Sequence, residues 1–255
     1  MKDTVYFISD AHLGIQLKEC DQREKYLISF LQGIRSSASH LFIVGDLFDF
    51  WIEYKHAIRP TYFSVLHQLK LLIDDGVTVY YLAGNHDFAL GPFLNHTIGI
   101  NICPSHLDIS LQEKNIHLCH GDGILKSDAA YRFWRSVLRN PINQMVYKWL
   151  HPNIGVPFAR LFSGSSRYLR LKKYTKEKRM EYLKAAINYL ERGADIIIMA
   201  HTHYPEIYDI GGKIYCNTGE WLRKYTYARL KKGKLSLLQY LPSQLPVEIG
   251  PSPVK

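Results

Sequence analysis

The chain has 255 residues, 47% of them hydrophobic, and a formal net charge of +9. That size and composition suit one large α/β domain with a substantial core. No apolar run reaches the roughly 18 residues a spanning helix needs, so membrane contact is expected to be peripheral.

The opening MKDTVYFISD runs directly into an apolar stretch with no charged leader, which predicts a protein that is not exported. Short runs rich in Val, Ile, Tyr and Phe predict strands at 5–9, 41–44, 77–82, 116–120, 195–200 and 213–217. Helix-like stretches lie between them at 22–35, 60–74 and 176–192. The alternation argues for buried strands and an α/β architecture. Each of the first five strands ends in polar residues, where ligands of α/β sheets bind.

Residues 125–175 break the alternation. Trp134, Val137, Leu138, Met145, Val146, Trp149 and Leu150 form a helical stripe interrupted near Pro141, followed by Phe158, Leu161, Phe162 and Leu169. The segment reads as a helical insertion capping a 1–240 catalytic domain. The last 15 residues, LPSQLPVEIGPSPVK after Tyr240, are rich in Pro and Ser and are expected to form a loose tail. The positive charge belongs to the insertion and its flank: residues 126–184 hold 14 Lys/Arg against three acids, or +11, leaving −2 elsewhere. Such a field favours a polyanion, whether nucleic acid, anionic lipid or a diphosphate. Four cysteines lie scattered without C-x-x-C spacing, and Cys119 and Cys216 sit in apolar contexts that predict buried free thiols in a reducing cytoplasm.

Five short motifs sit at strand ends: Asp10-x-His12, Gly45-Asp46, Gly84-Asn85-His86-Asp87, His120-Gly121-Asp122 and His201-x-His203. Taken alone, an Asp can cap a helix, an Asn can serve a turn, and a His can be a satisfied core group. An x-spaced pair on a strand puts both side chains on one face, so one strand end can offer two ligands. The donors are carboxylate, amide and imidazole without thiolate, which suits Mn, Fe or Zn in a catalytic role. Two such ions can share one carboxylate, for which Asp46 is placed. His117 and Asp49 read as structural or supporting groups. Gly45, Gly84 and Gly121 fit tight turns and close backbone approach.

In this order the five motifs resemble the calcineurin-like metallophosphoesterase signature over residues 10 to 203. The resemblance implies two mixed β-sheets flanked by helices and a dinuclear centre. Asp10, His12, Asp46 and His203 would hold one divalent ion, and Asp46, Asn85, His120 and His201 the other. His86 would act on the phosphate and leaving oxygen, with Asp87 orienting its ring. The stretches ISDAHLG, VGDLFDFWI, GNHDFALG and HGDGILKSDAAYRFWR are similar, more narrowly, to the UDP-2,3-diacylglucosamine hydrolases of lipid A biosynthesis. The best-known members of that family carry Arg where this chain has His86. The narrower resemblance implies cleavage of a lipid-linked sugar nucleotide at the α-phosphate of the UDP group, with substrate contacts from Asn85, His86, His201, Asp128 and Tyr131, and more loosely Ser166, Arg170 and Lys173. It also implies manganese as the metal, with iron or zinc as options, and a cytoplasmic protein held peripherally on the anionic inner face of the inner membrane.

Two other readings share these residues. A nuclease of the same fold could use the basic segment on a phosphate backbone, with Trp134, Tyr147, Trp149 and Tyr168 stacking bases. The helical spacing of the apolar residues and the length of the greasy insertion argue against a nucleic-acid partner. A non-catalytic scaffold is the other, and the full set of seven expected ligands argues against it.

Overall fold

Along the first strand, Val5 and Phe7 point to one side while Tyr6 and Ile8 point to the other, and both sides are buried. That requires a layer on each face of the sheet. The computed structural model, which describes residues 2–15, 20–163 and 175–251, supplies both. One sheet has seven strands in the order β12-β11-β10-β1-β2-β3-β4, built from β1 (Thr4–Ile8), β2 (Ala38–Val44), β3 (Thr78–Leu82), β4 (Asn101–Cys103), β10 (Thr226–Lys231), β11 (Lys234–Gln239) and β12 (Val247–Ile249). The other has five, β5-β6-β7-β9-β8, from β5 (His106–Leu111), β6 (Lys114–Cys119), β7 (Ile196–Met199), β8 (Glu206–Ile210) and β9 (Lys213–Asn217). Both mix parallel and antiparallel neighbours.

The two sheets face each other across Val5, Phe7, Phe42, Val44, Ile116, Leu118, Ile196, Ile198 and Cys216. Helices α1 (Cys20–Ile34) and α2 (Phe63–Asp74) cover the outer face of the first sheet through Leu27, Phe30, Leu31, Val65, Leu69 and Leu72. Helix α6 (Lys176–Glu191) covers the second through Leu183, Ala186 and Leu190, against Ile197 and Met199. The result is the expected pair of mixed sheets flanked by helices. Cys103, Cys119 and Cys216 are buried free thiols.

All six predicted strands form, and six more were not anticipated. Strand β5 alternates exposed and half-buried residues, so it lacks an apolar run. Strands β10 and β11 are a hairpin whose loop, Lys232 and Gly233, is left-handed at both positions, the twist favoured by two-residue hairpins. The segment expected as a loose tail contributes β12, where Leu237 pairs with Ile249 and Ser236 Oγ lies 2.9 Å from Glu248 Oε1. An open edge on β11 offers unpaired backbone groups, and three tail residues suffice to use them.

The insertion is helical: α3 (Ala129–Arg139), α4 (Pro141–Lys148) and α5 (Pro152–Ser163), with Asn140 capping α4 by accepting from Ile142 N. Phe133, Ile142 and Trp149 are 62%, 66% and 78% accessible, so they do not fasten it to the core, whereas Ala159 is buried and Tyr147 packs edge-on to Phe50.

Candidate metal centre

The parallel strands β1, β2, β3, β6 and β7 present their carboxyl ends to one crevice, and every motif lies in the loop just beyond one of them. The paired ligands are not on strands, contrary to expectation. β1 ends at Ile8 and β7 at Met199, and Asp10, His12, Asp46, His201 and His203 all have positive φ, between 44° and 68°. Each such position costs a non-glycine residue on the order of 1–3 kcal/mol and persists only where surroundings dictate it. Asp10 N donates to Gly45 O, His12 N to Asp46 O, and His201 N to Asp10 Oδ2, so the loops are laced together. The left-handed turns fold each loop back, so that side chains two residues apart converge.

The donor atoms of Asp10, His12 and His203 lie within 4.8 Å of one another, as do those of Asp10, Asp46 and His120. Asp46 Oδ2 is 3.7 Å from His12 Nε2 and 3.5 Å from His120 Nε2, which places it between the two sets. Asn85 Oδ1 is 3.1 Å from His120 Nε2, and the His201 ring packs edge-on to that of His120 at 5.1 Å. His120 Nδ1 is 2.8 Å from Val44 O, to which it donates, so Nε2 is the nitrogen turned toward Asp46 and the one that would serve a metal once its proton is displaced. Asp10 Oδ1 is buried with no hydrogen-bond partner, 3.2 Å from His203 Nε2. An orphaned carboxylate oxygen facing imidazole nitrogens is the arrangement a cation completes, and the oxygen and nitrogen donor set fits divalent ions.

Two glycines hold the backbone at this spacing. A Cβ on Gly84 would stand 2.0 Å from Asp46 Oδ1, and one on Gly45, already left-handed, 2.4 Å from His120 Nδ1. Gly121 meets nothing closer than 3.7 Å, so its φ of 105° is what requires glycine there.

The electrostatics follow from packing acids and imidazoles together in a buried cluster. Burial pushes Asp10 up, yet the neighbouring His203 charge holds its carboxyl well below the usual range. Asp46 is likewise driven down by His120 and His86 against the effect of burial. His120 is raised to about 10, as Asp46 outweighs burial, and His86 to about 9, through Asp46 and then Asp49. His201 is pushed down to about 4 by burial and the charge of His120. Two ionised carboxylates among these rings form a buried, strongly polarised site.

His86 lies beside this cluster, but its ring is not oriented by Asp87. His86 Nδ1 is 3.1 Å from Asp49 O and 3.5 Å from Asp49 Oδ1. Asp87 instead accepts from the backbone N–H groups of Asp46, Phe48 and Gly84 and from the Tyr81 hydroxyl. Its carboxylate closes the loops after β2 and β3 from beneath. A one-residue spacing could not reveal this, because at the turn adjacent side chains point opposite ways. Asp49, read from the sequence as a structural or supporting group, is the acid beside His86. His117 bonds Asp108 at 2.6 Å and stacks on Tyr189 at the sheet edge, away from the cluster.

Asn85, His86 and His201 form one end of a cavity of about 1040 Å³ that continues beneath the insertion, along Phe50, Phe88, Trp134, Val137, Leu138 and Phe158. Asp128 and Tyr131 line it as well, although the Tyr131 hydroxyl donates to Asp122 at 2.7 Å. Ser166, Arg170 and Lys173 lie outside the described residues.

Residues 4–205 match the family model described as calcineurin-like phosphoesterase. The chain belongs to that family. A phosphoesterase of this family is a metal-dependent hydrolase, and the Asp and His cluster has the donors to hold a divalent ion. Among relatives of this phosphoesterase, a UDP-2,3-diacylglucosamine hydrolase of Haemophilus influenzae is 30% identical over 223 residues, 86% of this chain and 91% of its own length. That of Stenotrophomonas maltophilia is 29% identical over 246 residues, 92% and 97% of the two chains. A third, from Porphyromonas gingivalis, is 32% identical over 173 residues, 66% of this chain and 64% of its own.

Proposed function

We propose that the protein hydrolyses the pyrophosphate of UDP-2,3-diacylglucosamine, releasing UMP and 2,3-diacylglucosamine 1-phosphate. The observation that carries the reading is the cavity, charged and ligand-lined at Asn85, His86 and His201 and apolar at Trp134, Val137, Leu138 and Phe158. A lipid-linked sugar nucleotide has the same polarity, with a diphosphate at one end and acyl chains at the other. Each buried methylene contributes about 0.8 kcal/mol, so an apolar groove of this kind can hold two acyl chains. Relatives bearing the name of this activity at about 30% identity support it.

Asp10, His12, Asp46 and His203 would hold one divalent ion, and Asp46, Asn85, His120 and His201 the second, with manganese as the ion and iron or zinc compatible with the donors. Two ions of this kind supply an activated water and neutralise charge on the reacting phosphoryl group. Asp46 sits between both donor sets and fixes their separation. His86, beside Asp46 and Asp49, is placed to donate toward the phosphoryl oxygen or the leaving oxygen. The walls formed by α3 to α5 keep the acyl chains and bulk water apart. Asp128 and Tyr131 stand where the sugar nucleotide would pass between cluster and groove.

The exposed Phe133, Trp134, Ile142, Met145, Val146 and Trp149, in a stretch of sequence (126–184) that carries 14 Lys/Arg, support peripheral attachment to an anionic membrane, the cytoplasmic face of the inner membrane, where such a substrate resides. Among the described residues no helix is long and apolar enough to cross a membrane.

The deciding experiment is turnover of UDP-2,3-diacylglucosamine with Mn²⁺, with product phosphorus analysis and Asp46→Ala as control. UMP and lipid 1-phosphate from the wild type alone is the expected result. Cleavage of single-stranded DNA without turnover of the lipid nucleotide would overturn it. Flotation with anionic liposomes tests attachment, and protein left in the soluble fraction at low salt would refute it.

A further inference from the structure

Helix α3 departs from the usual arrangement of a surface helix: Arg135 and Arg139 face the protein, while Phe133 is 62% exposed and Trp134, Val137 and Leu138 line the open cavity. Tyr131, Arg135 and Arg139 follow one another at intervals of four, so they share a face. All three converge on Asp122, which is buried. The Tyr131 hydroxyl donates to Asp122 Oδ2 at 2.7 Å, Arg135 Nε stands 3.3 Å from the same oxygen, and Arg135 Nη1 donates to Asp122 O at 2.9 Å. Arg139 Nη2 is 3.4 Å from Asp122 Oδ2 and donates to Gly84 O at 2.8 Å, while Nη1 reaches Pro104 O at 3.3 Å.

These acceptors are not scattered over the core. Gly84 immediately precedes Asn85, and Asp122 follows His120 by two residues. One guanidinium therefore ties together the two loops that present Asn85 and His120, the pair whose Oδ1 and Nε2 are 3.1 Å apart. The remaining cation of the helix, Arg132, bonds only the carbonyls of Gly123, Leu125 and Lys126, in the connection leading into the insertion.

We propose that Arg139 and Asp122 are positioning residues for the second metal, and that the insertion thereby braces one half of the dinuclear site. The proposal rests on the assignment of Asn85 and His120 to that metal. Arg139 acts through the loops and touches neither metal nor reacting atoms. Losing the fork frees the Asn85 loop from the His120 loop, so the affinity of the second site falls while that of the Asp10, His12 and His203 site does not. Removing such supporting partners weakens metal binding by about 10–100-fold.

The test is Mn²⁺ titration of full-length protein, followed by calorimetry and by the exchange-coupled signal in electron paramagnetic resonance. Wild type, Arg139→Gln, Arg139→Lys and Arg132→Gln are compared, each checked by circular dichroism. Wild type should bind two coupled ions. Arg139→Gln should keep one at unchanged affinity and bind the other 10–100-fold more weakly, with kcat restored by excess Mn²⁺ and KM unaltered. Arg139→Lys, which keeps a charge near Asp122 without the fork, should fall between, and Arg132→Gln should match wild type. Two ions bound by Arg139→Gln with wild-type affinity would sink the brace while leaving the metal assignment intact. If both ions weaken equally in Arg139→Gln, or in Arg132→Gln, the effect is general loosening and the proposal fails. Wild type that binds no second ion would remove the assignment, and the brace with it.

Discussion

The metal cluster and the insertion handle polarity in opposite ways. In the cluster, charged side chains are buried, held by left-handed backbone, and drawn from five loops. In the insertion, large apolar side chains stand in water on three short helices that follow one another in sequence. Both are costly for an isolated protein: the first in desolvation and strain, the second in exposed apolar surface. Costs of that kind persist where a ligand relieves them. Cations would satisfy the one region, and acyl chains or a lipid surface the other.

That contrast can be broken most sharply at Asp46. Asp46→Ala removes the carboxylate between the two donor sets, and kcat should fall on the order of 10³-fold or more, the scale of losing preorganised charge at a reacting centre. Steady-state turnover with saturating Mn²⁺ measures it.

The two neighbours in the turn after β3 should separate next. His86→Gln should lower kcat roughly 10²-fold with little change in melting temperature, as befits a proton donor. Asp87→Asn should instead destabilise the fold by about 1–3 kcal/mol, since backbone donors of Asp46, Phe48 and Gly84 lose their charged acceptor. Thermal melts run beside kinetics distinguish them. Should Asp87→Asn leave stability untouched and reduce only kcat, the corrected role for Asp87 is wrong.

A smaller effect concerns pH in protein stripped of metal. His86 and His120 are raised to about 9 and about 10, so the stability they confer is complete below their unfolded value of 6.5 and is lost as pH rises through 9 and 10. His201, lowered to about 4, works the other way, and its contribution declines as pH falls from 6.5 towards 4. Metal-free protein should therefore melt highest near pH 6.5, and Mn²⁺ should flatten the alkaline limb by replacing the protons. Melting curves from pH 5 to 10 with and without chelator test this.

The smallest effect on folding belongs to the other region. Trp149 is 78% exposed, so Trp149→Ser should change stability by no more than about 0.5 kcal/mol. It should nonetheless weaken liposome binding. A large drop in melting temperature would mean the insertion packs on the core after all.

Much of the fold could be read directly. Strands such as β3 and β7 are continuous apolar runs because a buried parallel strand must be apolar on both faces, and α6 shows its length and start through Thr175 as cap. Strand β5, with its exposed alternate residues, and β12, three residues long, have no such signature. They exist because a neighbouring edge was available. The ligand residues were legible as motifs, but the belief that each pair rides on a strand was not correct. Whether a residue takes left-handed φ depends on the hydrogen bonds that pin it, such as Asp10 N to Gly45 O and His12 N to Asp46 O, and those partners are 34 residues or more away.

What the order of residues determined by itself is the inventory: seven donors of the right chemistry at the ends of apolar runs, and a charged, greasy insertion after the fourth motif. Only the tertiary structure decided that Asp49 and not Asp87 faces His86, that Asp122 is a hub for three side chains of α3, and that Phe133, Ile142 and Trp149 of the insertion point to solvent while Trp134, Val137 and Leu138 line the cavity. The reason is the same in each case. Residue type and spacing are local, whereas the direction of a side chain is set by whichever distant backbone or charge it meets once the loops have closed.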